Sequence, residues 1–208
     1  MKQWPILAIL ALSLLTFSCK STSQAVIPTS KTLPSTDDNY TIIWVGQGKS
    51  FAYVDGEYQR SESNDYAFEV VQRRYDHTWK SVKNMHRIHP EYDGKAGAWE
   101  QTLYFEIDFS EQKGEIVSEL RSSLGDGSGT SDAACREQQF QLAVEDVSSF
   151  APYNTIRITQ HYRYEQGELL ETVELFKLED GVETPFVKIE ERAVIFRPTK
   201  LEEAPTVW

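Results

Sequence analysis

Two histidines three residues apart, His86 and His89, are the side chains of this sequence best spaced to act together. On a helix, at about 100° per residue, both rings continue the stripe of Phe68, Val71, Tyr75, Trp79 and Val82, one turn apart. Two imidazoles in an apolar wall can bind a metal or line a ligand pocket, and His86, His89, Trp79 and Tyr75 form the candidate ligand-binding set. Glu91 and Asp93 follow closely as possible oxygen ligands. Alternatively the helix ends before Pro90 and the two rings face its last carbonyls. The bare H-x-x-H spacing favours that second arrangement, since metalloprotease chemistry needs H-E-x-x-H.

Asp126-Gly127-Ser128-Gly129-Thr130-Ser131-Asp132, with Glu137 beyond, forms the second candidate. Oxygen-bearing side chains fall at loop positions 1, 3, 5, 7 and 12, a spacing that resembles an EF-hand calcium loop. The resemblance implies Asp126, Asp132 and Glu137 as cation ligands. It departs from the pattern at Ser131, where the turn needs Gly, at Ala133, where an apolar anchor is expected, and at Ser128, which brings no carboxylate. A plain Gly-Ser-Thr loop is the simpler alternative. Gly46-Gln47-Gly48-Lys49-Ser50 ends like a phosphate loop, but Ile43 stands where its first glycine belongs. Cys135 has no histidine placed beside it by sequence, and no G-x-S-x-G elbow occurs.

These residues must be positioned by the elements around them. Thr41 to Val45 reads as a strand, and Phe51–Val54 and Tyr58–Arg60 flank the turn dipeptide Asp55-Gly56 as a hairpin. Residues 65–88 follow the helical period, with Arg73, His77, Lys80, Asn84 and Arg87 opposite the apolar stripe, so an amphipathic helix is expected there. From Trp99 to Phe109 apolar and polar residues alternate strictly, which predicts a half-buried strand. Gln166-Gly167 and Asp180-Gly181 divide the remainder into strands over 155–165, 168–178 and 185–196. Residues 115–124 and 134–147 fit helix or strand equally. The expected fold is α+β: a curved antiparallel sheet or open β-barrel packed with one long amphipathic helix. Its outline is similar to calycin-type barrels and to cystatin-like folds, in architecture only. Trp44, Trp79, Trp99, Tyr104, Tyr162 and Tyr164 lie on these elements and serve either as core or as the wall of a cavity.

The N-terminal residues bear on compartment. After Lys2, Ile6 to Leu15 is an apolar run of signal-peptide length, too short for a mature membrane span. It leads into Thr16-Phe17-Ser18-Cys19, which resembles the lipobox of bacterial lipoproteins, although Leu15 stands one place early and Thr16 and Phe17 are atypical. The resemblance implies cleavage before Cys19 and its diacylation, each buried methylene contributing about 0.8 kcal/mol to anchoring. The alternatives are an ordinary signal peptide cut after Ala25 or an uncleaved anchor. Lys20 is not the aspartate that retains enteric lipoproteins at the inner membrane, which favours the outer membrane in a cell with two. Residues 20–39, rich in Ser, Thr and Pro, read as a tether, 40–197 as one domain, and 198–208 as a tail.

With Cys19 lipidated, Cys135 is the single remaining thiol, so the domain contains no internal disulfide and rests on its core. A net charge of −11 argues against nucleic acid as a partner. Arg73, His77, Lys80, Lys83 and Arg87 could approach an anionic membrane surface or simply pair with acidic strands. Three functions fit a lipid-anchored protein outside the cytoplasm. The first is binding or carrying an apolar or amphipathic small ligand. The second is an envelope protein-interaction module. The third is a metal-assisted or hydrolytic enzyme using His86 and His89.

Overall fold

Alternation with a period of two governs the chain from Tyr40 to Lys200. The computed structural model describes residues 40–94, 98–144 and 152–200; the expected signal sequence with Cys19, the expected tether to residue 39 and residues 201–208 of the expected tail lie outside the described residues, whereas residues 198–200 of that tail end the last strand. Eleven strands follow one another: β1 (Tyr40–Val54), β2 (Glu57–Arg60), β3 (Tyr66–Tyr75), β4 (Thr78–Arg87), β5 (Glu100–Gln112), β6 (Glu115–Ser122), β7 (Gly125–Ser131), β8 (Glu137–Ala143), β9 (Thr155–Arg163), β10 (Glu168–Glu179) and β11 (Val182–Lys200). From β3 to β11 each strand pairs antiparallel with the next. One edge of β1 pairs with β3 over Tyr40–Gly48 and then with β2 over Phe51–Val54, while its other edge pairs with β11. Ten strands therefore close into a barrel, and β2 is a short flap on its rim. Closure removes the unpaired edges that an open sheet would leave.

Positive backbone angles sit where the hairpins turn. Asp55 and Gly56 have φ of 52° and 92°, and Asp180 and Gly181 have 50° and 79°, the arrangement that two-residue hairpins require. Both turns fall where the dipeptides predict them.

The helix expected over 65–88 is absent, and with it the α+β assignment. Residues 66–87 form the β3–β4 hairpin, turning at Asp76 and His77. The physical reason lies in which residues face inward. Tyr66, Phe68, Val70, Gln72 and Arg74 line the lumen from β3, and Trp79, Ser81, Lys83, Met85 and Arg87 line it from β4. Polar side chains at inward positions erase the apolar alternation, while Val71, Tyr75 and Val82 on the outer wall complete a false helical stripe. Residues 115–122 and 137–143, ambiguous by pattern, are strands β6 and β8. Among the described residues, helical structure is confined to two single 3-10 turns, at Glu62–Asn64 and Tyr164–Gln166.

The two ends of the barrel are packed differently. At the lower end, where the turns at residues 76–77, 113–114, 132–136 and 164–167 lie, the lumen is filled by Ile42, Trp44, Trp79, Phe109, Tyr162 and Tyr164, all buried. Trp79 meets Phe109 and Tyr162 edge-on, with centroids 4.9 and 5.8 Å away, and Tyr162 stacks on Tyr164 at 5.5 Å. Towards the upper end, Met85, Phe105, Val173, Val187 and Ile189 face inward yet are only half-buried.

The outer wall carries charge. Glu106 accepts from Lys80 at 2.7 Å and from Arg121 at 2.5 Å, and Arg136 pairs with Glu165 at 2.6 Å.

Glycines at inward positions of β1 let aromatic rings lie against its backbone. A Cβ at Gly48 would stand 2.4 Å from the Tyr66 ring, and one at Gly46 would stand 2.7 Å from the Phe68 ring. Gly48→Val should therefore overpack the lumen and lower stability by about 1–3 kcal/mol in urea denaturation, whereas Gly56→Asn in the open Asp55-Gly56 turn should change it by less than about 1 kcal/mol.

Candidate functional site

Four strands place four polar side chains side by side on the inner wall. Gln138, Gln160, Glu171 and Glu191, on β8 to β11, are direct partners in the register of successive strand pairs. Each interrupts an otherwise apolar inward series: Ile156, Ile158, Gln160, Tyr162 on β9; Leu169, Glu171, Val173, Leu175 on β10; Val187, Ile189, Glu191, Ala193, Ile195 on β11. The strand period forces them inward, so their burial is a consequence of sequence position.

Lys83 crosses the lumen from β4 to meet this row. Its Nζ donates to both Glu191 carboxylate oxygens at 2.5 Å and lies 3.4 Å from Glu171 Oε1. Tyr66 Oη also donates to Glu191 Oε1, and Gln160 Nε2 donates to Glu171 Oε2. The chain of contacts continues downward. Tyr162 Oη donates to Gln160 Oε1 at 3.1 Å and accepts from Gln72 Nε2 at 3.4 Å. Gln72 Oε1 accepts from Arg74 Nε at 2.9 Å and Nη2 at 2.7 Å, and from Trp44 Nε1 at 3.4 Å. Arg74 Nη1 donates to Tyr164 Oη at 2.6 Å, and the guanidinium lies 3.6 Å from the centroid of the Trp79 ring. One connected network thus runs from Tyr66 near the upper end to Tyr164 at the lower end.

The charges in this network are unequally placed. Burial opposes the Lys83 charge, but the two facing carboxylates outweigh it and hold its pKa above the usual lysine value. Glu191 faces one ammonium and one like charge. Burial pushes its carboxyl up to about 7, Lys83 opposes the rise, and Glu171 adds to it. Burial, followed by the Glu191 charge, raises the Tyr66 phenol well above its ordinary value, so it acts as a hydrogen-bond donor.

The residues singled out by sequence spacing are not brought together. Trp79 is in the core, whereas Tyr75 is on the outer wall, where Lys80 Nζ lies 5.8 Å from its ring. His86 is exposed on the outside of β4 and itself lines an open groove of about 570 Å³ together with Val45, Ala67, Glu69, Asn84 and Thr102. His89 lies in the connection after β4, where its Nδ1 accepts from the Glu91 amide at 3.2 Å. The one-turn spacing of the pair depended on a helix, and a strand turns successive side chains to opposite faces instead. The calcium-like segment is strand β7, not a loop. Asp126 and Asp132 lie at its two ends, about 20 Å apart by strand rise. Asp132 Oδ1 accepts from the amides of Arg136 and Glu137 at 2.5 and 2.8 Å, and Glu137 sits 3.6 Å from His161. Among the described residues, no three His, Cys, Asp or Glu side chains form a metal-binding group. Cys135 is buried, and burial raises its thiol pKa, which makes it a poor nucleophile.

The expected basic stripe is divided by the wall, with Lys83 and Arg87 inside and Lys80 outside. Sequence spacing therefore missed Lys83, Glu171, Glu191 and Tyr66. For Glu171 and Glu191 the available signal was a single polar residue inside an apolar strand series; for Lys83, on a strand with several polar inward residues, there was none.

No protein-family model matches this chain, and no curated protein matches its sequence.

Removing Lys83 leaves two opposed buried carboxylates without their ammonium. Lys83→Met should cost about 3–5 kcal/mol at pH 8, and less at pH 5, where Glu191 is protonated, as read from urea denaturation at both pH values. A folded-state pKa above the unfolded value gives stability that is present below about pH 4.5 and lost as pH rises through about 7. Glu191→Gln should remove that part of the pH dependence; an unchanged slope between pH 4.5 and 7 would contradict the assignment to Glu191.

Proposed function

We propose that this chain binds and carries an amphipathic small ligand inside the barrel, as a lipid-anchored protein outside the bacterial cytoplasm. The observation that carries the ligand reading is the layering of the lumen. The buried row of Lys83, Glu171 and Glu191 forms a polar floor. Above it stand Phe105, Val173, Val187 and Ile189, inward-facing apolar side chains that the protein itself leaves half-uncovered. Interior apolar surface is normally covered, because close packing and water exclusion both favour it. A wall left open over a charged floor matches a molecule with an apolar body and a polar end.

The width of the barrel supports this reading. Eight strands already enclose enough space for side chains or one small ligand, and the diameter grows with strand number. Ten strands enclose a wider lumen than eight, which supports a ligand space in the upper half, where the inward side chains are only half-buried. Ionisable groups with displaced pKa values in a concave site also mark function more often than plain scaffold. The envelope placement rests on the apolar run from Ile6 to Leu15 and on the lipobox-like Thr16-Phe17-Ser18-Cys19 that follows it.

Native mass spectrometry of the full chain purified from a bacterial host should show a bound species that is lost on denaturation. Val173→Trp, which narrows the open part, should reduce that species several-fold while near-ultraviolet circular dichroism stays native. A ligand-free chain that also takes up no amphiphile would end the carrier reading. A clickable palmitate analogue should label the wild type in cells and leave Cys19→Ala dark. Unlabelled protein in the cytoplasm would overturn the placement.

A further inference from the structure

The floor of the open half sets two carboxylates against one ammonium, and the other inward cations of the β3–β4 hairpin, Arg74 and Arg87, stand four residues below and above the level of Lys83. Glu171 and Glu191 are direct partners in the β10–β11 register and both turn inward, with side chains 9% and 3% exposed. They share one ammonium, Lys83, which binds Glu191 at 2.5 Å on both oxygens and stands 3.4 Å from Glu171. The remaining partners are neutral: Tyr66 on Glu191 and Gln160 on Glu171. Two like charges facing each other in a buried layer repel more strongly than in water, and one ammonium offsets only half of the pair.

An independent shortage of donors lies in the same row. Gln138, two strands from Glu171 and wholly buried, uses its amide nitrogen on the Cys135 carbonyl at 3.1 Å. Its Oε1 has no hydrogen-bond partner among the described residues. A buried acceptor left unmet costs free energy comparable to a lost hydrogen bond, so such an atom marks a place where a donor belongs. Acceptors therefore outnumber donors along Gln138, Gln160, Glu171 and Glu191. Aromatic faces adjoin the same place, with the Phe68 ring centroid 4.5 Å from Lys83 Nζ. The half-buried Val173 and Ile189 each lie two residues from a carboxylate, on the upper side, so the pair forms the floor of the uncovered space.

We infer that the barrel's ligand carries a cationic head, a protonated amine, seated on the Glu171–Glu191 pair with its apolar body against Val173, Val187 and Ile189. This inference rests on the carrier reading and adds the sign of the head group. A primary ammonium supplies three donors and one positive charge, which meets the charge shortage at Glu171 and Glu191; Gln138 lies two strands, about 10 Å, from Glu171. A carboxylate head would instead compete with Glu191 for Lys83 and bring a third negative charge into the layer.

Isothermal titration calorimetry of the full chain with octylamine, octanol and octanoate at pH 7.5 tests the sign of the head. Octylamine should bind at least tenfold more tightly than octanol, and octanoate more weakly than either. Glu171→Gln, which leaves Lys83 and Glu191 as a matched pair, should bring octylamine to within about threefold of octanol. Glu191→Gln should do the same, so loss of folding in one variant leaves the other as the test; thermal melting identifies which variants are folded. Equal binding of all three probes, or tightest binding of octanoate, would refute the cationic head while leaving the carrier reading intact. No binding of any probe, together with a ligand-free native mass spectrum, would remove both.

Discussion

The ion pair between Lys83 and Glu191 crosses the interior of the barrel and decides how the rest of the lumen is built. Taking either ion out of water costs several kcal/mol, and their attraction repays this only when the remaining donors and acceptors are also met. Tyr66 and Gln160 meet most of them directly, and Tyr162, Gln72 and Arg74 extend the same chain to the lower end. A barrel held together for stability alone would be served as well by apolar residues in those positions. Two carboxylates, a lysine and an arginine in one lumen therefore fit the proposed carrier reading better than a purely structural one.

Closure of the sheet and polarity of the lumen depend on each other. Phe68 and Tyr66 lie flat on Gly46 and Gly48 of β1, the strand that joins β3 to β11 and completes the ring. That close approach holds Tyr66 where its hydroxyl meets Glu191, and its ring lies 5.4 Å from the Arg87 guanidinium. Gly127 and Gly129 do the equivalent work on β7, where a Cβ would stand 2.2 Å from carbonyl oxygens of β8. The alternating glycines that resemble a calcium loop in sequence are thus explained by strand contact. They permit two backbones and the Phe140 ring to pack on the inner wall.

Sequence pattern conveys the strands and obscures the site for the same reason. Where inward residues are apolar, as in Leu103, Phe105, Ile107 and Phe109 of β5, alternation marks the strand plainly. Where the lumen is polar, as at Gln72, Arg74, Ser81 and Lys83, inward and outward positions look alike by hydropathy, and a helical period emerges by chance from both walls. The residues that hide the strands are those that build the polar layer. Glu171 and Glu191 lie on strands that alternation does reveal, yet their partner Lys83 is more than 80 residues away in sequence. A lone glutamate in an apolar strand reads as a break in pattern until the opposite wall is known. His86 and His89 show the converse: their spacing had meaning only on a helix, whereas His86 lies on the outer face of β4 and His89 in the connection after it.

Chain direction adds a further constraint to the carrier reading. β1 starts at the lower, aromatic-filled end, so under the proposed lipidation of Cys19 the chain would enter the barrel on the side opposite the half-open apolar wall. Twenty residues lie between Cys19 and Tyr40, and a chain of that length reaches at most about 70 Å when fully extended. The fifteen residues of β1 span about 50 Å along the strand, and strand tilt makes the barrel shorter than that. At full extension the proposed tether would exceed the height of the barrel. An anchored barrel of these proportions can turn its open end either to the membrane that anchors it or away towards a second acceptor, the freedom that loading at one surface and release at another requires. A spacer shorter than the barrel would fix the open end away from the membrane and leave the protein able to bind but unable to exchange with the bilayer.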